Sequence, residues 1–180
     1  MESNNLNRIR SVSAKFKLLF LALIFIQPLM DFIFWMSFNY LPEGFTTDQL
    51  PVPITSPLSL GTLWMAFLVS LVPTSVIIYG LLNLKTLFSL YEQGIVFTQG
   101  NVQCFHRLGL SLMALVIAGF IHTPLLSMVL SFNNPEGQRM LTLQFGTQNL
   151  SLFIMGAMLV LVSWVMSEAV KLEHEQAHTV

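Results

Sequence analysis

Two ionisable residues of this chain sit where such side chains are costly: Asp31 and His122 each fall inside a long apolar run. At 1.5 Å per residue, Asp31 lies roughly 21 Å beyond Lys17 and His122 roughly 22 Å beyond Arg107. A bilayer has a hydrocarbon core of about 30 Å, and a carboxylate held within it costs several kcal/mol unless paired or hydrated. Pro28 precedes Asp31 and Pro124 follows His122; Gln27 lies one helical turn below Asp31, and Thr123 adjoins His122. The expectation is a polar cluster of Asp31, His122 and Gln27 in the outer half of a helix bundle. Such a cluster could relay a proton, bind a ligand or serve only as interhelical glue. The alternative is that Asp31 and His122 reach the outer headgroups separately.

Other chemistry-bearing residues carry less. His174-Glu175-Gln176-Ala177-His178 spells the H-E-x-x-H zinc-protease pattern, in which two histidines one turn apart bind metal and the glutamate acts as base. It lies two residues from the end of the sequence, no third ligand follows, and a catalytic zinc needs a fixed, partly dry site. A charged amphipathic tail is the expected reading, with no metal site. Cys104 has no base at matched spacing, and a single cysteine makes no intramolecular disulfide. Nothing resembles a phosphate-binding loop, a dinucleotide fingerprint or a serine triad, and no cofactor or enzymatic activity is expected. No run of like charges marks a nucleic-acid arm, so direct nucleic-acid binding is not expected either.

The elements that position these residues follow from composition. Of 180 residues, 54% are hydrophobic and 9% charged, whereas an ordinary soluble domain carries roughly 25% charged residues. Eight Lys/Arg and nine Asp/Glu cannot coat a soluble shell. Four apolar stretches, at about 18–38, 62–84, 108–130 and 150–166, each approach the roughly 20 residues a bilayer core demands. Each must be a helix, since a spanning segment satisfies its backbone hydrogen bonds internally. The first is read as a retained span, because its apolar part is too long for a signal peptide and no small-x-small cleavage pattern follows. With the N-terminus inside, Arg8, Arg10, Lys15, Lys17, Lys85, Arg107 and Lys171 face the cytoplasm and Arg139 alone lies outside. Seven against one predicts an in-out-in-out-in topology. Trp35 and Tyr40 at the end of the first span, and Trp64 at the start of the second, read as interfacial aromatics.

The predicted fold is therefore an all-α, four-transmembrane-helix bundle forming one integral membrane domain over 1–180. Both termini are cytoplasmic, external loops span 39–61 and 131–149, and a tail spans 167–180. The first external loop holds four of the eight prolines, so it cannot be one helix. In the second, residues 133–137 read as a turn and residues 140–145 alternate like a short strand, with an interfacial lead-in to the fourth helix as the alternative. The inner segment, 85–107, reads as a cytoplasmic helical hairpin. Leu84, Leu87, Phe88 and Tyr91 carry the second helix to about Gln93. Gly94 then fits a left-handed C-cap, and Thr98 fits the next N-cap with its hydroxyl accepting a backbone N–H. The apolar tip 94–97 is expected to pack under the bundle rather than face a partner, since exposed apolar patches are uncommon.

Residues 90–109, LYEQGIVFTQGNVQCFHRLG, resemble the signature of the DUF2975 family, bacterial four-span membrane proteins of unknown function. The matching positions are Gly94, Phe97, Thr98, Asn101, Val102, Arg107 and Gly109, with one residue fewer between Arg107 and Gly109 than in the family pattern. The ending, SWVMSEAVKLEHEQAHTV, also resembles that of the family, although His174 and His178 stand where its members usually have acidic or apolar residues. Members are often encoded beside a small helix-turn-helix regulator. The resemblance thus implies a bacterial inner-membrane location and a cytoplasmic regulator as partner, with Gly94, Phe97, Thr98, Asn101, Arg107 and Gly109 as candidate contact residues. The expected function is a non-enzymatic, membrane-anchored regulatory or interaction protein. The alternative is a small transporter or immunity-type protein using the Asp31–His122 pair, for which four spans make a narrow pathway unless the chain forms a homo-oligomer.

Overall fold

The computed structural model describes residues 2–42, 50–54, 57–132, 134–135, 139–143 and 146–177. Four long helices account for most of them: α1 Glu2–Ser37, α2 Leu60–Glu92, α3 Gln99–Ser131 and α4 Thr147–Ala177, with a short 3₁₀ turn Phe38–Tyr40 closing α1. All four are long and apolar enough to cross a membrane. Their most apolar stretches bury only 6, 17, 22 and 11% of their residues inside the fold. Water could not tolerate that much bare apolar surface, and a hydrocarbon solvent can. The chain is an all-helical, multi-pass membrane protein.

Neighbours in sequence are neighbours in space. The main helix contacts are α1 on α2, α2 on α3 and α3 on α4, and each pair is antiparallel. Lys17 meets Glu92 while Trp35 meets Ser70. Gly80 sits against Ser111 while Ile95 meets Asn101. Gly109 touches Gly156 while His106 meets Ser163. The start of α1, the α2–α3 connection and the end of α4 therefore share one end of the bundle.

The other end holds the main hydrophobic core. Trp35, Phe38, Leu63, Ala66, Leu126 and Leu130 are buried there together with Val52 and Leu58 of the first loop. The described parts of that loop, 50–54 and 57–59, fold back as a plug instead of arching outward, and polar side chains pin them. Asn39 Nδ2 donates to Leu58 O at 2.9 Å and its Oδ1 accepts from Leu58 N at 3.0 Å. Ser59 caps α2 by accepting from Thr62 N.

Two sequence expectations change here. Trp35 is only 3% exposed and donates to Ser70 Oγ at 2.9 Å. It is a core residue, because the plug covers the position where an interfacial indole would meet headgroups; Tyr40, 89% exposed, and Trp64, 45% exposed, keep their outward place. The strand expected at 140–145 is not formed among the described residues 140–143, and Gln144 and Phe145 lie outside them. The segment bonds to helix and loop instead of to another strand. Thr142 N donates to Ser127 Oγ, Thr142 Oγ1 to Pro51 O and Ser131 Oγ to Met140 O. Of the turn expected at 133–137, only Asn134 and Pro135 are described, and His178 of the H-E-x-x-H pattern also lies outside the described residues.

Candidate functional site

The α2–α3 hairpin is built from a few side chains with matched jobs. Gly94, at φ +80°, ends α2 in a left-handed turn that L-residues disfavour. Ile95 N donates to Leu90 O and Gly94 N to Tyr91 O, the paired bonds of a Schellman motif. A Cβ at Gly94 would stand 2.8 Å from Arg10 Nη2, so the Arg10 guanidinium lies directly over the turn. Thr98 is the N-cap of α3, but its hydroxyl does not accept a backbone N–H. It donates instead to Asn101 Oδ1 at 2.7 Å. Asn101 is fully buried and donates from Nδ2 to Ile95 O at 3.3 Å. One amide thus ties the first turn of α3 to the turn that follows α2.

The sequence reading missed the third arm. α1 starts at Glu2, well before the apolar run, and lies alongside the end of α2. Phe16 and Phe20 stack on Phe88 with ring centroids 5.2 and 5.3 Å apart, and Lys17 Nζ meets Glu92 Oε2 at 2.8 Å. The spacing of Val12, Phe16 and Phe20 was the available signal. At the braced tip, Ile95 and Val96 are half-buried while Phe97 is 71% exposed. The expected packing of the tip under the bundle holds for the first two residues only. Phe97 projects because Gly94 reverses the chain and Thr98 restarts a helix, leaving no element above it.

Deeper in the bundle, Asp31 and His122 come from α1 and α3, the two helices that pack against α2. Asp31 is near enough to His122 for its charge to act on the ring. Thr74 of α2 donates to Asp31 Oδ2 at 2.5 Å. His122 Nε2 is buried with no hydrogen-bond partner, an uncommon condition for a polar atom. Gln27 is half-buried, yet no hydrogen bond to either residue is formed. The bond formed at this depth is thus between Asp31 and Thr74, with the His122 ring within reach of that charge. The antiparallel register that sets Ser70 against Trp35 sets Thr74 against Asp31 one turn away.

The α3–α4 seam is the closest helix pairing. A Cβ on Gly109 would stand 2.7 Å from Gly156 O, and one on Gly156 would stand 2.7 Å from Gly109 O. The backbones touch, as small residues permit in membrane helices. One turn toward the hairpin end, His106 Nδ1 lies 3.2 Å from Ser163 Oγ. Ser163 already gives its hydrogen to Val160 O at 2.6 Å, so the ring nitrogen must be the donor. Arg107 is exposed and forms no ion pair among the described residues. Cys104 is buried. Among the described residues no three His, Cys, Asp or Glu side chains converge on a metal position.

Of the six hairpin-motif positions, Gly94, Thr98, Asn101 and Gly109 are thus engaged inside the fold, while Phe97 and Arg107 face outward. In comparison with known proteins, a family model described as "Protein of unknown function (DUF2975)" matches residues 49–180. No curated protein and no solved structure matches the chain.

Proposed function

Because the chain belongs to the DUF2975 family, whose function is unknown, its role has to be argued from its own geometry, and we propose a non-enzymatic, membrane-anchored interaction protein. In this reading the chain resides in a bacterial inner membrane with both termini and the hairpin in the cytoplasm. The Lys/Arg distribution supports that orientation: the seven cations counted above belong to the hairpin end, and Arg139 to the opposite end. The hairpin then presents Phe97 to a small cytoplasmic helix-turn-helix regulator, and contact with DNA belongs to that partner.

The observation that carries this reading is the exposure of Phe97 on a turn held by backbone bonds and by Asn101. α2 ends at Glu92 and so runs about 10 Å past Lys85 by helical rise, beyond the roughly 5–8 Å of headgroups on each side of a bilayer. Phe97 is therefore offered to water or to a protein, on a base rigid enough to limit the ordering cost of binding. The test is co-purification of the detergent-solubilised protein with cytoplasmic proteins from its own cells. The expected result is recovery of a helix-turn-helix protein with the wild type and its loss with Phe97→Ala at unchanged thermal midpoint. A clean preparation with no partner, or a partner indifferent to Phe97, overturns the reading.

The second reading, a small transporter, is favoured by one observation: the unpartnered His122 Nε2 beside an Asp31 carboxylate held by Thr74. A pathway along one such chain is narrow, so this reading calls for a second copy. The apolar stretch of α1, 6% buried, offers the most free surface for it. Asp31→Asn is expected to abolish the transport phenotype with partner binding intact. An unaltered phenotype removes this reading.

A further inference from the structure

Between the first turns of α3 and the last turns of the apolar part of α4 lies a groove of about 240 Å³. Gln99, Gln103, His106 and Arg107 line it from α3, and Trp164 and Ser167 from α4. We propose that this groove binds the phosphate headgroup of one anionic phospholipid, with Arg107 as its charge partner.

Depth is the first argument. Arg107 is the first charge met on leaving the apolar run of α3, and Glu168 is the first on leaving that of α4. The groove therefore lies at the boundary between hydrocarbon and headgroups. Trp164, 63% exposed, is the kind of side chain that settles at that boundary. Charge is the second argument. Arg107 has no carboxylate partner among the described residues, and the nearest acid on α4, Glu168, pairs with Lys171 at 3.3 Å. Gln99, Gln103 and Ser167 add neutral donors. His106 is held by Ser163 through Nδ1, which fixes the plane of its ring. A guanidinium with amide and hydroxyl donors suits a phosphodiester.

Shape is the third. Drug-sized ligands occupy pockets of roughly 300–1,000 Å³; this groove is smaller, and accepts a headgroup whose chains lie outside it. Leu110 on α3 and Leu161 on α4, one turn deeper, are both exposed and continue the surface on which acyl chains would lie. The Gly109–Gly156 contact closes the seam directly below, so the groove has a floor.

The experiment is native mass spectrometry of the full chain released from micelles containing phosphatidylglycerol or phosphatidylcholine, for the wild type, Arg107→Gln and Lys85→Gln. Lys85 is the informative control, because the α2–α3 register places it level with Arg107 on another seam. Diffuse attraction to an anionic surface treats the two cations alike; a site does not. The expected result is retention of one phosphatidylglycerol by the wild type and by Lys85→Gln, and about tenfold less by Arg107→Gln, the effect of losing one charge-assisted hydrogen bond. Equal loss in both variants, equal retention of phosphatidylcholine, or displacement of the lipid by soluble glycerol phosphate at matched concentration overturns the proposal. A thermal midpoint for Arg107→Gln within a degree or two of wild type excludes misfolding, and Gln103→Leu supplies an independent reduction at the same site.

Discussion

A carboxylate and an imidazole inside an apolar bundle have to be explained side chain by side chain, and here each has a different environment. Asp31 accepts from Thr74, and His122 Nε2 accepts from and donates to nothing. If the two rely on each other electrostatically, their effects on stability are not additive. Asp31→Asn and His122→Gln, singly and together, are expected to show a coupling of about 0.6 to 1.7 kcal/mol, the range seen for polar contacts between membrane helices. Thermal or denaturant unfolding in one detergent measures it, and strict additivity would show that the residues merely share a level. Thr74→Val is expected to destabilise by about 0.6 kcal/mol on the same ground. Asp31 and His122 were legible from counting residues along two apolar runs. Thr74 was not, because a threonine in a span carries no signal until the facing helix is placed. Gln27 failed for the opposite reason: one turn of spacing shows which side chains are near one another on a helix, not which ones bond.

At the scale of elements, helix pairs are set by where the chain gives up side chains. Gly109 and Gly156 meet backbone to backbone, so an added methyl meets a backbone oxygen that cannot move aside as a side chain can. Gly109→Ala is expected to lose about 1–3 kcal/mol by overpacking, seen as a lower unfolding midpoint. Gly119, on the same helix with nothing within 4 Å of a built Cβ, is the contrast. Gly119→Ala is expected to be neutral or to stabilise by up to about 1 kcal/mol through helix propensity. Equal losses at both positions would mean that α3 is sensitive to any substitution and that the contact is incidental. The hairpin was readable from sequence because Gly94 and Thr98 act locally, through φ and through capping. Trp35 was misread because its burial depends on Val52 and Leu58 folding back onto it, a long-range event with no local signature. The helical start of α1 was passed over because charged residues dilute its apolar spacing.

For the whole molecule, four antiparallel helices packed in chain order fix which segments share an end, but only charge fixes which side of a membrane that end faces. The single cysteine makes the orientation measurable. Cys104 is buried, and Cys104→Ser gives a background with no thiol in which new cysteines report their side. Phe97→Cys places a thiol at the hairpin tip, and Tyr40→Cys places one at the opposite end; both parent residues are exposed. With intact spheroplasts and a membrane-impermeant maleimide, Tyr40→Cys is expected to label and Phe97→Cys to remain unlabelled until the membrane is opened. In inside-out vesicles the pattern should invert. The reverse outcome would put seven of eight Lys/Arg on the outside against the usual bias of short loops. It would also remove Phe97 from the cytoplasm and end the regulator reading without disturbing the fold. Labelling of Phe97→Cys from both sides would instead indicate two orientations, which a dimer of opposed copies requires and a single anchored partner does not.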